Sequence, residues 1–514
     1  MTAEHNLYEN FRNSFPENLD EPLLFDEGEK AYSYRDFETS SAKLANLLKN
    51  LGLKVGDRIT VQVEKSPQSL SLYLACLRGG FVYHPLNTSY KSAELAYLVG
   101  DANPSLIVCD GSSETEFIRI TSSANDDSLT DSDDSGIKIL TLNDDGSGSL
   151  FRDVHRESHT HKTVDVSKTE LAALLYSSGT TGKPKGIMLS HENLLTNARA
   201  LVQAWGFSKS DCLLHMLPMY HVHGLFVGVG CALLSGARIH WYRKFDAGRA
   251  VRALPNCTVM MGVPTYYTRL LTRSEFSASD CSNMRLFISG SAPLLEETFV
   301  EFQALTGHTI LERYGMTETG MNTSNPLSGE RRAGTVGLAL PGVEVRVVDQ
   351  TLNRVSVGVT GDLQIKGPNV FIGYWQKPDK TKRDFTHDGY FDTGDKAQID
   401  QDGYVSIVGR AKDMIITGGL NVYPKEVELV IDEIVGVVES AVVGIPDSDF
   451  GEAVVAVVVF SGRHFQCEEI VEHCRKNLAG FKVPKYVYQV DQLPRNAMGK
   501  VQKNTLRDTF ANVE

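Results

Sequence analysis

A chain of 514 residues is too long for one ordinary hydrophobic core, so two or more domains are expected. With 42% apolar and 22% charged residues it has the composition of a soluble globular protein, and its long apolar runs, such as Ala453–Phe460, are strand-length and too short to span a bilayer. The net charge of −13 argues against a nucleic-acid or anionic-membrane binder, and it requires any polyphosphate site to be locally basic or metal-assisted.

The start, Met1-Thr-Ala-Glu-His-Asn6, has neither a signal-peptide nor a transit-peptide pattern, and Ala511-Asn-Val-Glu514 is not a peroxisomal address, so the cytoplasm is expected. The 8 cysteines form no C-x-x-C pair and read as reduced packing residues without metal-ligand spacing.

In chain order, Tyr34 through Leu51 has helical periodicity, and Arg58–Val63 reads as a strand. Ser66-Pro67 reads as an N-cap and first helical position, opening a helix to about Arg78. This alternation predicts helices covering a sheet. The segment 111–165 contains the acidic run Asn125–Ser135, is poor in apolar residues, and reads as a mobile insertion or long surface loop, in which His155, His159 and His161 read as solvated loop histidines ahead of metal ligands. Leu171–Leu175 reads as a buried strand, and residues 170–345 repeat apolar strands and amphipathic stretches. The pattern turns β-like and glycine-rich from Gly361 to Asp400, with a polar boundary at Gly409–Asp413. The last hundred residues predict a helix at Pro424–Glu433, strands at Ser440–Gly444 and Ala453–Phe460, and a helix at Glu468–Leu478, the size of a separate small domain.

The densest chemical signal is Tyr176-Ser-Ser-Gly-Thr-Thr-Gly-Lys-Pro-Lys-Gly186. Ser177, Ser178, Thr180 and Thr181 offer hydroxyls, Gly179 and Gly182 expose backbone N–H groups, and Lys183 and Lys185 add charge, which is what a polyphosphate needs. It is not a Walker A loop, because Pro184 follows Lys183. Three further motifs follow in order: Glu312-Arg-Tyr-Gly-Met-Thr-Glu-Thr319, Asp392-Thr-Gly-Asp395 with Gly409-Arg-Ala-Lys-Asp413, and Pro494-Arg-Asn-Ala-Met-Gly-Lys500.

Loop, motifs and their order resemble the adenylate-forming superfamily of acyl-CoA synthetases, adenylation domains and luciferases, over nearly the whole chain from about Tyr34 to Arg507. The resemblance implies an α/β fold: a large ATP- and acid-binding domain, residues 1–410, of layered α/β subdomains plus a β-rich subdomain, and a small mobile α+β domain, 411–514. It implies that Tyr314 stacks on adenine beside Glu312, Gly315 and Met316, and that Ser291 and Ala292 of Ser289-Gly-Ser-Ala-Pro293 form a wall next to it. Thr317 would donate to a phosphate, Glu318 would help hold Mg²⁺, and Asp395 with Arg410 would contact the ribose. Lys412 stands at the family's hinge position, and Gly418 and Gly419 in the loop near the CoA tunnel. Lys500 stands where the family has its catalytic lysine, whose charge would stabilise the pentacovalent phosphorus and departing pyrophosphate; Lys503 ranks well below it.

Arg313 bears on the acid. Many fatty and aromatic acyl-CoA synthetases have a small residue before this tyrosine, and a buried arginine needs an anionic partner. It either pairs with Glu312 or Glu318, or clamps a second carboxylate of the substrate. Arg269 could supply a further charge or be a helix-surface arginine, and His223 lies in Pro218-Met-Tyr-His-Val-His-Gly224, which looks like the acyl-pocket motif. Val82–Asn87, His223–Phe226, Met261–Thr265 and Thr417–Pro424 resemble the malonyl-CoA synthetase subfamily, with His84 departing where an apolar residue is expected. The implied reaction is ligation of malonate, or also methylmalonate, to CoA through an acyl-adenylate, with ATP and Mg²⁺ required. The partners implied are these small molecules, with no nucleic acid and no stable membrane insertion. The rivals are a ligase for another short acid, an adenylation enzyme loading a carrier protein in trans, a light-emitting oxidoreductase and a nucleotide-binding regulator. The lack of a fused carrier domain weighs against the second, Arg313 against the third and Lys500 against the fourth.

Overall fold

The helix expected from Tyr34 forms over Tyr34–Asn50, started by a reciprocal cap between Ser33 and Asp36. The next, Pro67–Gly79, is capped by Ser66, has Pro67 in its first turn and stops at Gly80 in the left-handed conformation (φ 71°). The computed structural model describes residues 3–125, 137–177, 184–417, 420–447, 450–461, 466–478, 480–496 and 499–511. These fall into two compact units, Met1–Glu344 with Ile365–Phe391, and Val345–Gln364 with Asp392–Glu514. The sequence boundary at 410/411 lies inside the second unit; it concerns which part of the chain moves and stays a proposal.

Among the described residues, the larger unit is built on two sheets. One runs in the order Gly373–Tyr374, Lys185–Ser190, Leu171–Ser177, Val82–Pro85, Arg58–Gln62, Leu106–Cys109, Lys138–Thr141. The other runs from Leu338–Ala339 through Gly320–Ser324, Ile310–Met316, Leu286–Ser289, Val259–Gly262, Cys212–His215 and Arg238–Trp241 to Pro22–Phe25 and Ala31–Ser33. Their inner strands pair in parallel, and strands such as Leu286–Ser289 and Val259–Gly262 are buried along their length. Antiparallel strands at the margins carry the motifs: Lys185–Ser190 returns along Leu171–Ser177, and Gly320–Ser324 along Ile310–Met316.

The segment 111–165 is not the insertion that its polarity suggested. Its described residues form the helix Glu114–Asn125 and the strand Lys138–Thr141, which adds to the first sheet in parallel with Leu106–Cys109. Phe117 and Ile120 bury with Leu95 and Leu98, so a few apolar residues at helical spacing anchor a polar stretch. The acidic residues 126–136 lie outside the described residues.

In the smaller unit, Phe391–Ile399 pairs antiparallel with Val405–Arg410. A further sheet joins Val437–Asp447 to Gly451–Phe460, longer than the strands expected there. One face of it, with Val442, Val454 and Val458, packs on Val427 and Ile431 of Pro424–Asp432 and on Ile470 of Cys467–Asn477. The other, with Ala441, Val443 and Val455, packs on Leu506 and Phe510 of Lys503–Phe510. A continuous valine run is therefore a strand covered on both sides. Among the described residues no helix is long and apolar enough to cross a membrane.

Candidate active site

The ends of the phosphate-loop motif are fixed by the sheet, with Ser177 opposite Lys185. Ser178, Gly179, Thr180, Thr181, Gly182 and Lys183 lie outside the described residues. The Tyr176 hydroxyl donates to Asp101 at 2.6 Å, and its ring packs 5.2 Å from that of His84. His84, the departure from the subfamily pattern, is held by Thr60 at 2.9 Å and kept neutral by burial, which lowers its pKa to about 3. Its ring thus packs against the base of the loop. Beyond the loop, the Trp375 backbone N–H donates to the Gly186 carbonyl at 2.8 Å, and a Cβ on Gly186 would lie 2.8 Å from the Trp375 Cβ.

Lys185 faces a small set of charges. Loss of water, then the charge of Lys380, pulls its amine pKa down, while Asp384 and Glu318 oppose this. The amines of Lys185 and Lys380 lie 5.9 and 5.0 Å from the Tyr374 ring, and Lys380 pairs with Asp384 at 2.6 Å. Lys380 belongs to none of the sequence motifs; its one signal in the sequence is the lysine- and arginine-rich stretch that forms the short helix Pro378–Asp384. Glu318 is buried, with its carbonyl accepting from the Phe371 N–H at 2.7 Å. The Glu318 carboxylate is a hard oxygen donor of the kind a divalent cation on phosphate oxygens takes, and its charge bears on Lys185.

Thr317 and Glu318 lie in the turn between Ile310–Met316 and Gly320–Ser324. Gly315 is required there, since a Cβ would sit 2.2 Å from the Gly320 carbonyl. Tyr314 is half-buried, with its hydroxyl 3.9 Å from the Met316 sulfur. The Glu312 carboxylate accepts from the Leu294 N–H at 3.0 Å, tying this strand to the Ser289–Pro293 segment. Within that segment Ser291 adopts a left-handed backbone (φ 71°), a strained conformation of the kind that clusters at binding sites, and Ala292 is exposed.

Arg313 is 3% exposed, yet its Nε and Nη2 have no hydrogen-bond partner, and no carboxylate of the described residues pairs with it. Glu312 and Glu318 therefore do not fill the role of internal partner. Burial lowers the guanidinium pKa to about 10, so it stays charged at neutral pH. Gly290 makes room for it: a Cβ there would meet the Arg313 Cζ at 2.5 Å. His223, buried in the π-helix His223–Val229, has an unpartnered Nε2, and its Nδ1 is 3.4 Å from the Ser291 hydroxyl. Burial, then the nearby charge of Arg313, holds this imidazole neutral. The structure thus brings Arg313, His223 and Ser291 together. Arg269 is exposed in the last turn of Pro264–Leu271, the placement of a helix-surface arginine.

In the smaller unit, Asp395 and Arg410 stand opposite each other across two strands, and the buried carboxylate pairs with the guanidinium at 2.6 Å. Lys412 lies in the short turn Ala411–Asp413; Gly418 and Gly419 lie outside the described residues. Lys500 is exposed and follows Gly499, whose φ of 77° turns the chain. Its N–H donates to the Asn496 side chain at 3.0 Å and its carbonyl accepts from the Asn496 N–H at 2.9 Å. Arg495 braces the loop by donating to the Gly499 carbonyl and pairing with Glu439. Lys503 is engaged with Glu428 at 2.5 Å, so it serves the fold. Cys212, His240 and Cys257 are the one group among the described residues close enough to suggest a metal site. Both sulfurs are packed into the apolar cluster around Leu214 and Met260, in keeping with packing cysteines.

Residues 11–375 match the AMP-binding enzyme profile, and residues 426–500 match that of the AMP-binding enzyme C-terminal domain. The chain belongs to the AMP-binding enzyme family. It is 33% identical over 534 residues to a malonate–CoA ligase of Arabidopsis thaliana, covering 94% of this chain and 86% of that one. It is likewise 33% identical over 538 residues to a long-chain-fatty-acid–CoA ligase of Yersinia pestis, covering 99% and 95%. Among solved structures, ATP-bound MatB from Rhodopseudomonas palustris superimposes with a TM-score of 0.95 at 46% identity, covering 100% of this chain and 99% of that one. This AMP-binding enzyme is therefore an AMP-forming acyl-CoA synthetase that uses ATP and CoA.

Proposed function

We propose that the acid is malonate, with methylmalonate as a second candidate, and that the enzyme is a malonyl-CoA synthetase. Arg313 carries this reading: a charged guanidinium buried without an anionic partner is costly, and a second substrate carboxylate would supply one in the geometry a guanidinium matches best. His223 and Ser291 stand beside it as neutral polar groups able to orient that carboxylate. A monocarboxylate would leave the arginine unpaired beside an apolar chain. The similarity to relatives named malonate–CoA ligase points the same way.

The first half-reaction joins a carboxylate oxygen of the acid to the α-phosphorus of ATP, and the bond to pyrophosphate breaks with its electron pair leaving on pyrophosphate. Ser177, Lys185 and the hydroxyls and amides of 178–183 would hold the phosphates, with Thr317 donating to one. Mg²⁺, with Glu318 as protein ligand, would neutralise charge on the phosphate oxygens. Lys500 would stabilise the charge that accumulates on phosphorus and its leaving group. Tyr314 would stack on adenine, and Asp395 and Arg410 would bind the ribose. In the second half-reaction the CoA sulfur attacks the acyl carbon, its proton passes to solvent, and AMP leaves.

The test is Arg313→Met. Loss of a charge-assisted hydrogen bond is worth about 1.5–3 kcal/mol, so KM for malonate should rise roughly 10–100-fold while acetate and butyrate are relatively spared. An equal loss for every acid would make Arg313 a structural residue.

A further inference from the structure

Behind the acid pocket lies a buried lysine that neither half-reaction uses. Lys65 is 5% exposed, and among the described residues no carboxylate pairs with it. Its amine lies 2.6 Å from His215 Nδ1, 2.9 Å from the His215 carbonyl and 4.3 Å from the centre of the Trp241 ring. Burial pushes the amine pKa well below its ordinary value, against a weaker opposing pull from Glu27.

The His215 tautomer follows from its partners. Nε2 lies 2.9 Å from the Gly224 carbonyl, which can only accept, so Nε2 carries the proton and Nδ1 accepts from Lys65. The ring, stacked on Trp241 at 4.9 Å, is gripped from both sides. It wedges under the π-helix His223–Val229, where a Cβ on Gly228 would meet it at 3.0 Å. On the same segment a Cβ on Gly224 would lie 2.0 Å from the Pro218 carbonyl. The two glycines, one turn apart, let the helix settle on this support. A π-turn is a strained insertion that persists where its surroundings hold it, and His223 is its first residue.

We propose that Lys65 is a positioning residue for acid binding: through His215 it seats the π-helix His223–Val229 and so holds the His223 imidazole beside Arg313. This rests on the reading of His223 and Arg313 as the acid pocket. Lys65 touches no substrate; it fixes the tautomer and place of His215, whose N–H fixes the Gly224 carbonyl next to His223.

A double-mutant cycle tests the coupling. In the full-length protein, Lys65→Met should raise KM for the acid about tenfold, with KM for ATP and CoA within about twofold. In a His223→Ala background the same change should add less than about twofold, since the group being positioned is gone. Gly228→Ala presses on the His215 ring from the opposite side without burying or removing a charge. It should give the same acid-specific rise, again absent beside His223→Ala, and it decides the matter if Lys65→Met does not fold. Equal factors in both backgrounds, or an equal rise for all three substrates, would overturn the proposal. The acid used is the one the unmodified enzyme prefers, so a preference for an acid other than malonate contradicts the substrate reading and leaves the cycle valid.

Discussion

A buried charge is informative when its partner is missing. Arg313 and Lys503 are both basic residues inside functional motifs or next to them, but Lys503 has Glu428 at 2.5 Å while Arg313 has two guanidinium nitrogens with no acceptor. Lys503 forms a finished structural pair, and Arg313 is the residue proposed to take its partner from the substrate. Lys503→Met should therefore lower stability by about 1–3 kcal/mol, by leaving the Glu428 carboxylate unpaired, and should spare acyl-adenylate formation in an ATP–pyrophosphate exchange assay. Lys500 is exposed on a loop that Asn496 and Arg495 hold in shape, and its amine is expected to act on phosphate. Lys500→Ala should slow acyl-adenylate formation by about 10²–10³-fold, as loss of one oxyanion donor does, and should leave thioester formation from supplied malonyl-AMP intact. Loss of both half-reactions would remove its assigned role.

At the level of elements, caps and apolar periodicity were legible: Ser66-Pro67 set the start of one helix, and the valine run at 453–460 lies within a doubly covered strand. The segment 111–165 was not, because a short edge strand and a helix anchored by Phe117 and Ile120 carry few apolar residues among many polar ones. The motifs named most of the candidate residues, but Lys65 and Lys380 escaped: Lys65 meets His215 from a distant part of the chain, and Lys380, whose direct contacts are local, bears on Lys185 only through the fold. The absence of an internal partner for Arg313 was equally out of reach, because it depends on which carboxylates the fold brings near. Asp432, hydrogen-bonded by Ser440 at 2.7 Å, carries another consequence of folding: burial raises its pKa to about 6. Below an ordinary aspartate pKa of about 4 the carboxyl is protonated folded or unfolded, and stability falls as pH rises from there to about 6, where the buried group must ionise. Asp432→Asn should then stabilise the protein by up to roughly 2 kcal/mol at pH 8 and give no gain at pH 4, read from denaturation midpoints.

For the molecule as a whole, two compact units carry separate parts of the motif set: the phosphate-loop ends, Glu318 and Arg313 in the larger, and Asp395, Arg410 and Lys500 in the smaller. If Lys500 serves only one half-reaction, as proposed, a hinge at Lys412 would suit it, since the backbone there would rotate between steps. Lys412→Pro, which fixes φ there, should retain pyrophosphate exchange and lose thioester formation by about 100-fold or more; equal retention of both would remove the hinge from Lys412. The central claim, that this acyl-CoA synthetase takes a dicarboxylate, is tested most directly by incubating the protein with MgATP, CoA and, in turn, malonate, methylmalonate, succinate, acetate and octanoate, and measuring AMP and acyl-CoA. Malonate-dependent AMP and malonyl-CoA in equal amounts is the expected result; turnover confined to a monocarboxylate such as acetate or octanoate would contradict it.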